Sequence, residues 1–264
     1  MNQSVLLAAA PMPKKAVAGS FDYSPKHIAE EVLKCAEEGA VMVHLHVLDE
    51  DGHETTDLSA FHETIQMIRK ESDIIIQGST GGSTDLSIEK RSASLDYASV
   101  QTASLNMGSV NFGDAVYQNP VPDIYSFAKR MKERSIAAEM EIFDLSMLYV
   151  GIEMVEKELI PPCFNFCFGF PNAMPAKKEV LLFLLNELKE NANICTGILH
   201  HGSSDFSFLR FALENGVDMV RAGFEDSRMG EQDNAGLVKK LKQQIIGSGR
   251  SLYNIMGAKN FLGI

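Results

Sequence analysis

The chain has little cysteine, few basic residues and no long apolar run, and each shortage excludes a class of protein. Cys35, Cys163, Cys167 and Cys195 are the only cysteines in 264 residues and carry no framework spacing. A disulfide scaffold is therefore excluded, and reduced thiols in a cytoplasmic protein are expected. Lys and Arg number 24 against 35 Asp and Glu, giving a formal charge of −11 and a sequence pI near 5.1. With no basic block, nucleic-acid binding is not expected as a main role. No apolar stretch approaches the ~20 residues of a membrane span. The run at residues 5–10 is short and its lysines follow it, unlike a signal peptide. Nor does a Gly-rich phosphate loop follow that run, since residues 10–15 hold prolines and lysines instead. What remains, 45% hydrophobic and 22% charged, is an ordinary soluble globular composition.

Short apolar, β-rich runs alternate with longer amphipathic ones from end to end. Strands are expected at 5–10, 41–47, 74–79, 99–106, 136–143, 163–170, 194–200 and 218–225, with helices between and after them. Ser24-Pro25 marks a helix start, with Ser24 as N-cap and Pro25 at the first position. Eight βα units share 264 residues at about 33 each, enough for a strand, two loops and a crossover helix. Eight such alternations favour an α/β fold of one closed (β/α)8 TIM barrel over an open sheet. No linker-like shift divides residues 1–264, so one domain is expected. The tail at 251–264 has apolar residues suited to packing on the barrel or on a neighbouring subunit.

Barrel enzymes carry their chemistry at the C-terminal strand ends, and strand parity says which side chains enter the mouth. In the second strand Met42, His44 and His46 share one face, and the opposite set is wholly apolar. Two imidazoles projecting together suit one divalent metal, zinc being the usual guest of nitrogen ligands, or else form a hydrogen-bonded interior pair. In the eighth strand Arg221, Gly223 and Glu225 share a face, so Glu225 would complete a His2Glu set, and Asp226 begins the next loop as a potential base. In the fifth, Glu139 and Glu141 point inward, where unpaired carboxylates are costly. They have a catalytic role, an internal salt bridge to Arg221, or both. Ser79, Thr80, Gly81 and Gly82 suit close approach of an anionic group or a plain glycine turn. Ser104 and Asn106 offer neutral contacts to a carbonyl or carboxylate, or a buried hydrogen-bonded ladder. His200 and His201 end the seventh strand as either a ligand contact or a solvated pair.

Several of these peptides resemble those of the β-keto acid cleavage enzymes. The resemblance covers V-H-L-H-V at 43–47, S-T-G-G at 79–82, A-S-L-N-M-G at 103–108 with N-F-G at 111–113, and E-M-E-I-F at 139–143. It continues through G-F-P at 169–171 and Met174 to V-R-A-G-F-E-D at 220–226. It implies a zinc-dependent barrel that joins a β-keto acid to acetyl-CoA and cleaves a C–C bond by a retro-Claisen step, yielding acetoacetate and a new acyl-CoA. Carried over, His44, His46 and Glu225 would hold one zinc per chain. Asp226 would take a proton from the acetyl methyl, and Arg221 would assist cleavage. Ser79, Thr80, Gly81, Gly82, Ser104 and Asn106 would position substrate oxygens, with Glu139 and Lys14 also in contact. Glu141 would support Arg221 or meet the distal group. Lys14, Lys15, Arg221 and Arg228 are the cations available to the phosphates of the cosubstrate. A homotetramer is also implied.

The departures from the family pattern bear on substrate. Leu48 stands where Arg is common, Ser227 where Asn is usual, and Asn172-Ala173 replaces a glycine pair. Lys14 and Lys15 occupy a loop that is acidic or polar in relatives taking amino substrates, so an anionic or neutral distal group is expected. Two other readings compete: a metal-dependent lyase or hydrolase of the amidohydrolase type, and a non-catalytic barrel that binds acyl-CoA or a small acid. The first normally places H-x-H on its first strand. The second has no physical need of so charged an interior.

Overall fold

In the computed structural model, which describes residues 3–13, 21–81, 86–189 and 193–264, eight parallel strands close on themselves inside a layer of helices. The barrel strands are β1 (Ser4–Ala9), β2 (Met42–Leu45), β3 (Ile75–Gly78), β4 (Thr102–Asn106), β7 (Ala137–Ile142), β8 (Cys163–Phe168), β9 (Cys195–His200) and β10 (Met219–Ala222). Closure runs through β1 and β10, which pair from Leu6↔Met219 to Ala9↔Ala222. The strands read as near-continuous apolar runs because both faces are covered. The outward set, including Leu7, Val43, Ile76, Leu105 and Phe166, packs beneath the helices in one extended core.

The helices are α1 (Pro25–Glu37), α2 (Ser59–Arg69), α3 (Ile88–Arg91), α4 (Val121–Glu133), α5 (Leu145–Glu156), α6 (Lys178–Glu187), α7 (Ser207–Glu214), α8 (Asn234–Gly247) and α9 (Ile255–Leu262). Their termini follow local chemistry. Ser24 accepts from the His27 N–H with Pro25 at the first helical position, as expected. Gly39, at φ +111°, then turns the chain out of α1 in a conformation that L side chains rarely adopt. Among the described residues, no helix is long and apolar enough to cross a membrane.

The sequence pattern missed three small elements. A hairpin of β5 (Val110–Phe112) and β6 (Ala115–Tyr117) stands after β4. The strand β11 (Ser251–Leu252) pairs with the start of β1, and α9 follows it. The apolar tail thereby acquires a definite place. Ala258 of α9 is buried with Leu6, Met42, Ile75, Cys163, Cys195 and Met219, the lowest inward layer of the barrel. This plug leaves the next layers, toward the strand C-termini, to polar side chains. The inward positions His44, Gln77, Ser104, Glu139, Asn165 and Arg221 are all buried there. Expected strand ends also shorten, because β2 stops at Leu45 and β10 at Ala222. His46 and Glu225 therefore lie on the turns after the strands rather than on them.

Candidate active site

Glu225 reaches the two histidines through a turn. A Cβ at Gly223 would sit 2.0 Å from the Ala10 carbonyl oxygen, so only glycine lets the chain pass β1 here. The Asp226 and Ser227 amides then bond back to the Gly223 carbonyl at 3.1 and 3.0 Å, and this tight turn swings Glu225 over the mouth. Strand parity, which assumed an extended backbone to residue 225, named the right residue for an incomplete reason.

His44 Nε2 lies 3.8 Å from Glu225 Oε1, and His46 Nε2 lies 3.6 Å from Glu225 Oε2. The imidazoles meet edge to face with centroids 5.1 Å apart. These separations exceed a hydrogen bond, and Glu225 Oε2 is buried with no hydrogen-bond partner among the described residues. Ligands about 2.1 Å from a tetrahedral zinc stand about 3.4 Å from one another, so the three side chains fit such an ion with little movement. The protonation of His44 and Glu225 agrees, whereas a metal would have to displace a proton from His46. Burial drives His44 down to about 3, against the pull of Glu225, so the ring is neutral and its lone pair is free. Burial also lowers His46, but Glu225 and Glu54 outweigh it and raise the ring. Burial pushes Glu225 up, yet Arg221 and the two histidines hold it well below the ordinary carboxylate range.

Beside the triad one buried guanidinium serves three carboxylates. Arg221 donates Nε to Asp226 Oδ2 at 3.0 Å and Nη2 to Asp226 Oδ1 at 2.6 Å, a bidentate fork. Nη2 also reaches Glu225 Oε1 at 3.2 Å. Nη1 stands 3.7 Å from Glu141 and has no hydrogen-bond partner among the described residues. Burial raises Asp226 despite Arg221, and the like charge of Glu225 adds to the rise. Burial likewise lifts Glu141 to about 7, with Glu139 and Glu225 adding to it against Arg221. The expected salt bridge to Arg221 thus involves Glu141, whereas Glu139 is held by amides. Asn165 Nδ2 donates to its Oε1 at 2.7 Å and Gln77 Nε2 to its Oε2 at 2.8 Å.

Neutral groups line the rest of the mouth. Ser79 Oγ accepts from the Gly81 amide at 3.1 Å, and Thr80 donates its hydroxyl to the Ser104 carbonyl at 2.6 Å. Asn106 accepts from the Gly108 amide at 3.2 Å. Of the residues expected in the site, Lys14 and Gly82 lie outside the described residues, as does Lys15. Arg228 donates to the Pro13 carbonyl at 3.3 Å and lies over the Phe224 ring. His201 stacks on Phe170, 4.3 Å between centroids, and Phe170, Phe112 and Phe143 contact one another at 5.1 Å. This aromatic wall went unnoticed in the sequence. So did Arg91, which binds the carbonyls of Thr80 and Gln118 together with Tyr117 and Asn119. Gln77 and Asn165 were also missed, although parity could have found them: Gln77 lies two residues before Ser79, and Asn165 lies between Cys163 and Cys167, which share its face.

Fold and site together define a parallel (β/α)8 barrel with a buried, metal-competent acidic mouth. The chain belongs to the β-keto acid cleavage enzyme family, whose model matches residues 8–264. The 3-keto-5-aminohexanoate cleavage enzyme of Acetoanaerobium sticklandii is 30% identical over 251 residues, covering 92% of this chain and 90% of that protein. A 3-oxoadipate:acetyl-CoA acetyltransferase of Cupriavidus necator is 32% identical over 266 residues, covering 96% and 91%. Among solved structures, apo ObcA superposes with a TM-score of 0.77 at 17% identity over 91% of this chain, a likeness of fold. The chain spans 64% of ObcA's length.

Proposed function

We propose that the chain transfers an acyl group by cleaving a β-keto acid with acetyl-CoA, giving acetoacetate and a new acyl-CoA. The observation that carries this reading is Arg221: a buried guanidinium whose Nη1 donor is unused among the described residues, between a base-capable carboxylate and a metal-competent triad. Zinc held by His44, His46 and Glu225 would supply Lewis-acid polarisation of the keto carbonyl. Named relatives act with acetyl-CoA on 3-oxoadipate and on 3,5-dioxohexanoate.

Atom balance corrects one expected step. A carbanion from the acetyl methyl, added to the keto carbonyl, would on cleavage release acetate and a longer ketoacyl-CoA, not acetoacetate. Asp226 therefore takes the proton from the methylene between the keto and carboxylate carbons, where the negative charge is best delocalised. The resulting carbanion attacks the acetyl thioester carbonyl, forms the new C–C bond and expels CoA thiolate. The thiolate adds to the keto carbonyl, the old C–C bond breaks, and acyl-CoA departs. The acetoacetate carbanion recovers the proton from Asp226. Arg221 Nη1 donates to the oxygen that gains charge at each addition. Ser79, Ser104 and Asn106 orient substrate oxygens, and Glu141 balances Arg221. Thr80, expected to join them, does not, because its buried hydroxyl is spent on the Ser104 carbonyl.

The distal group is anionic or neutral in this reading. Leu48 lines a largely apolar recess with Pro11, Met12, Pro13 and Tyr23 beside His46, and no carboxylate lines it to pair with an ammonium. All four cysteines are buried and free, in keeping with a cytoplasmic enzyme, and a homotetramer is part of the proposal. The test is an acetyl-CoA-dependent search for acyl-CoA product across dicarboxylic, alkyl and aminated β-keto acids, with metal analysis alongside. One zinc per chain, lost in His46→Ala, and turnover of a non-aminated acid are expected. No product across the panel from zinc-loaded protein would overturn the reaction; preference for the aminated acid would overturn the distal-group assignment.

A further inference from the structure

Glu139 was expected to touch substrate, yet both of its carboxylate oxygens are already occupied and its side chain is buried. The two donors are side-chain amides, and one of them leads to a metal-competent histidine. Gln77 Nε2 donates to Glu139, and Gln77 Oε1 lies 2.7 Å from His44 Nδ1. We infer that Glu139 is a positioning residue that sets the tautomer of His44 through the amide of Gln77. This inference rests on reading His44 as a metal ligand.

The chain of constraints is short. Burial raises Glu139 against Gln77, Arg221 and Asn165, and because both of its oxygens accept from amides it sits there as an acceptor. A carboxylate can only accept hydrogen bonds, so the amide group facing it must be NH2. Reversing Gln77 would press its amide oxygen against a carboxylate oxygen at 2.8 Å. With NH2 committed to Glu139, Gln77 presents oxygen to His44, and oxygen accepts only from a protonated Nδ1. The neutral ring then keeps its lone pair on Nε2, the atom that faces Glu225. Asn165 anchors the far side of Glu139, so that the carboxylate cannot rotate away. Room for that anchor comes from Gly197, where a Cβ would stand 3.0 Å from Asn165 Oδ1 and 2.8 Å from Met219. Four strands thus contribute one polar chain across the barrel interior: Asn165, Glu139, Gln77 and His44. Partners of this kind, behind a ligand, typically change metal affinity 10–100-fold when removed.

The test uses histidine-selective 15N labelling and long-range 1H–15N correlation on the metal-free full chain, with zinc affinity measured by competition against a chromophoric chelator. Wild-type His44 is expected solely as the Nδ1–H form. Gln77→Met should give a mixture of tautomers and weaken zinc about 10–100-fold. Glu139→Gln, nearly isosteric and in hydrogen-bond contact with neither His44 nor the ion site, should move both readouts in the same direction. It carries the test if Gln77→Met does not fold. An Nε2–H form in the wild type, or an unchanged tautomer and zinc affinity within two-fold in Glu139→Gln, overturns the inference. Neither readout needs turnover, so an enzyme inactive on every β-keto acid would sink the proposed reaction and leave this assignment standing.

Discussion

Replacing Arg221 with methionine isolates the electrostatics of the mouth. The guanidinium contacts Asp226 at 2.6 and 3.0 Å, Glu225 at 3.2 Å and Glu141 at 3.7 Å. Asp226 is 4% exposed, so water cannot replace the lost partner without structural change. Removing one member of a buried pair costs about 3–5 kcal/mol, because the other charge stays behind. For a chain of 264 residues the unfolding entropy near 60 °C corresponds to roughly 0.55 kcal/mol per degree, so Tm should fall by about 5–9 °C at pH 7. The sign with pH follows. Without the cation the buried carboxylates have raised pKa values in the native state, which then binds more protons than the unfolded chain, so the deficit shrinks as pH falls. Calorimetry or urea unfolding of metal-free protein at pH 8, 7 and 5 reads all of this. Adding Asp226→Asn should recover at least about 1 kcal/mol, since a neutral amide no longer needs the cation. A single variant within about 1 kcal/mol of wild type, with no pH dependence, would refute the view that these carboxylates are desolvated.

Glu141 titrates near 7 against an ordinary 4.5, so its folded form holds a proton that the unfolded chain has released. Its contribution therefore favours folding below pH 4.5 and is lost as pH rises toward 7, by at most roughly 3 kcal/mol. Glu141→Gln should flatten that part of the stability–pH curve of the metal-free protein, and parallel curves would refute the assignment. Arg91→Lys should destabilise by about 3 kcal/mol, because lysine cannot reproduce the fork that serves Tyr117, Asn119 and two carbonyls. An unchanged urea midpoint would mean that the fork is dispensable.

How much was legible in the sequence depends on how far each feature rests on local periodicity. Eight alternating units and the closed barrel follow from runs that local burial dictates, and the structure has that barrel. The hairpin at 110–117 and the strand at 251–252 escaped because two or three residues cannot express a period. Parity placed His44, Glu139, Glu141 and Arg221 inward correctly, since a strand has only two faces. It could not separate Glu139 from Glu141. They share a strand, a face and a residue type, yet one meets the amides of Gln77 on β3 and Asn165 on β8 and the other faces Arg221 on β10, partners brought together across the barrel interior by its closure.

Glu225 marks the limit more sharply. Parity assigned it to the mouth as the next inward position after Arg221 and Gly223, but the strand ends at Ala222. Its real cause is steric: Gly223 packs against the Ala10 carbonyl so closely that no side chain fits, and the chain folds into a turn there. That contact joins residues 213 positions apart in sequence, through the pairing of β1 with β10 that closes the barrel. The third metal-competent side chain is therefore a product of closure itself. An open sheet with the same local sequence would carry His44 and His46 but would have no reason to bring Glu225 to them.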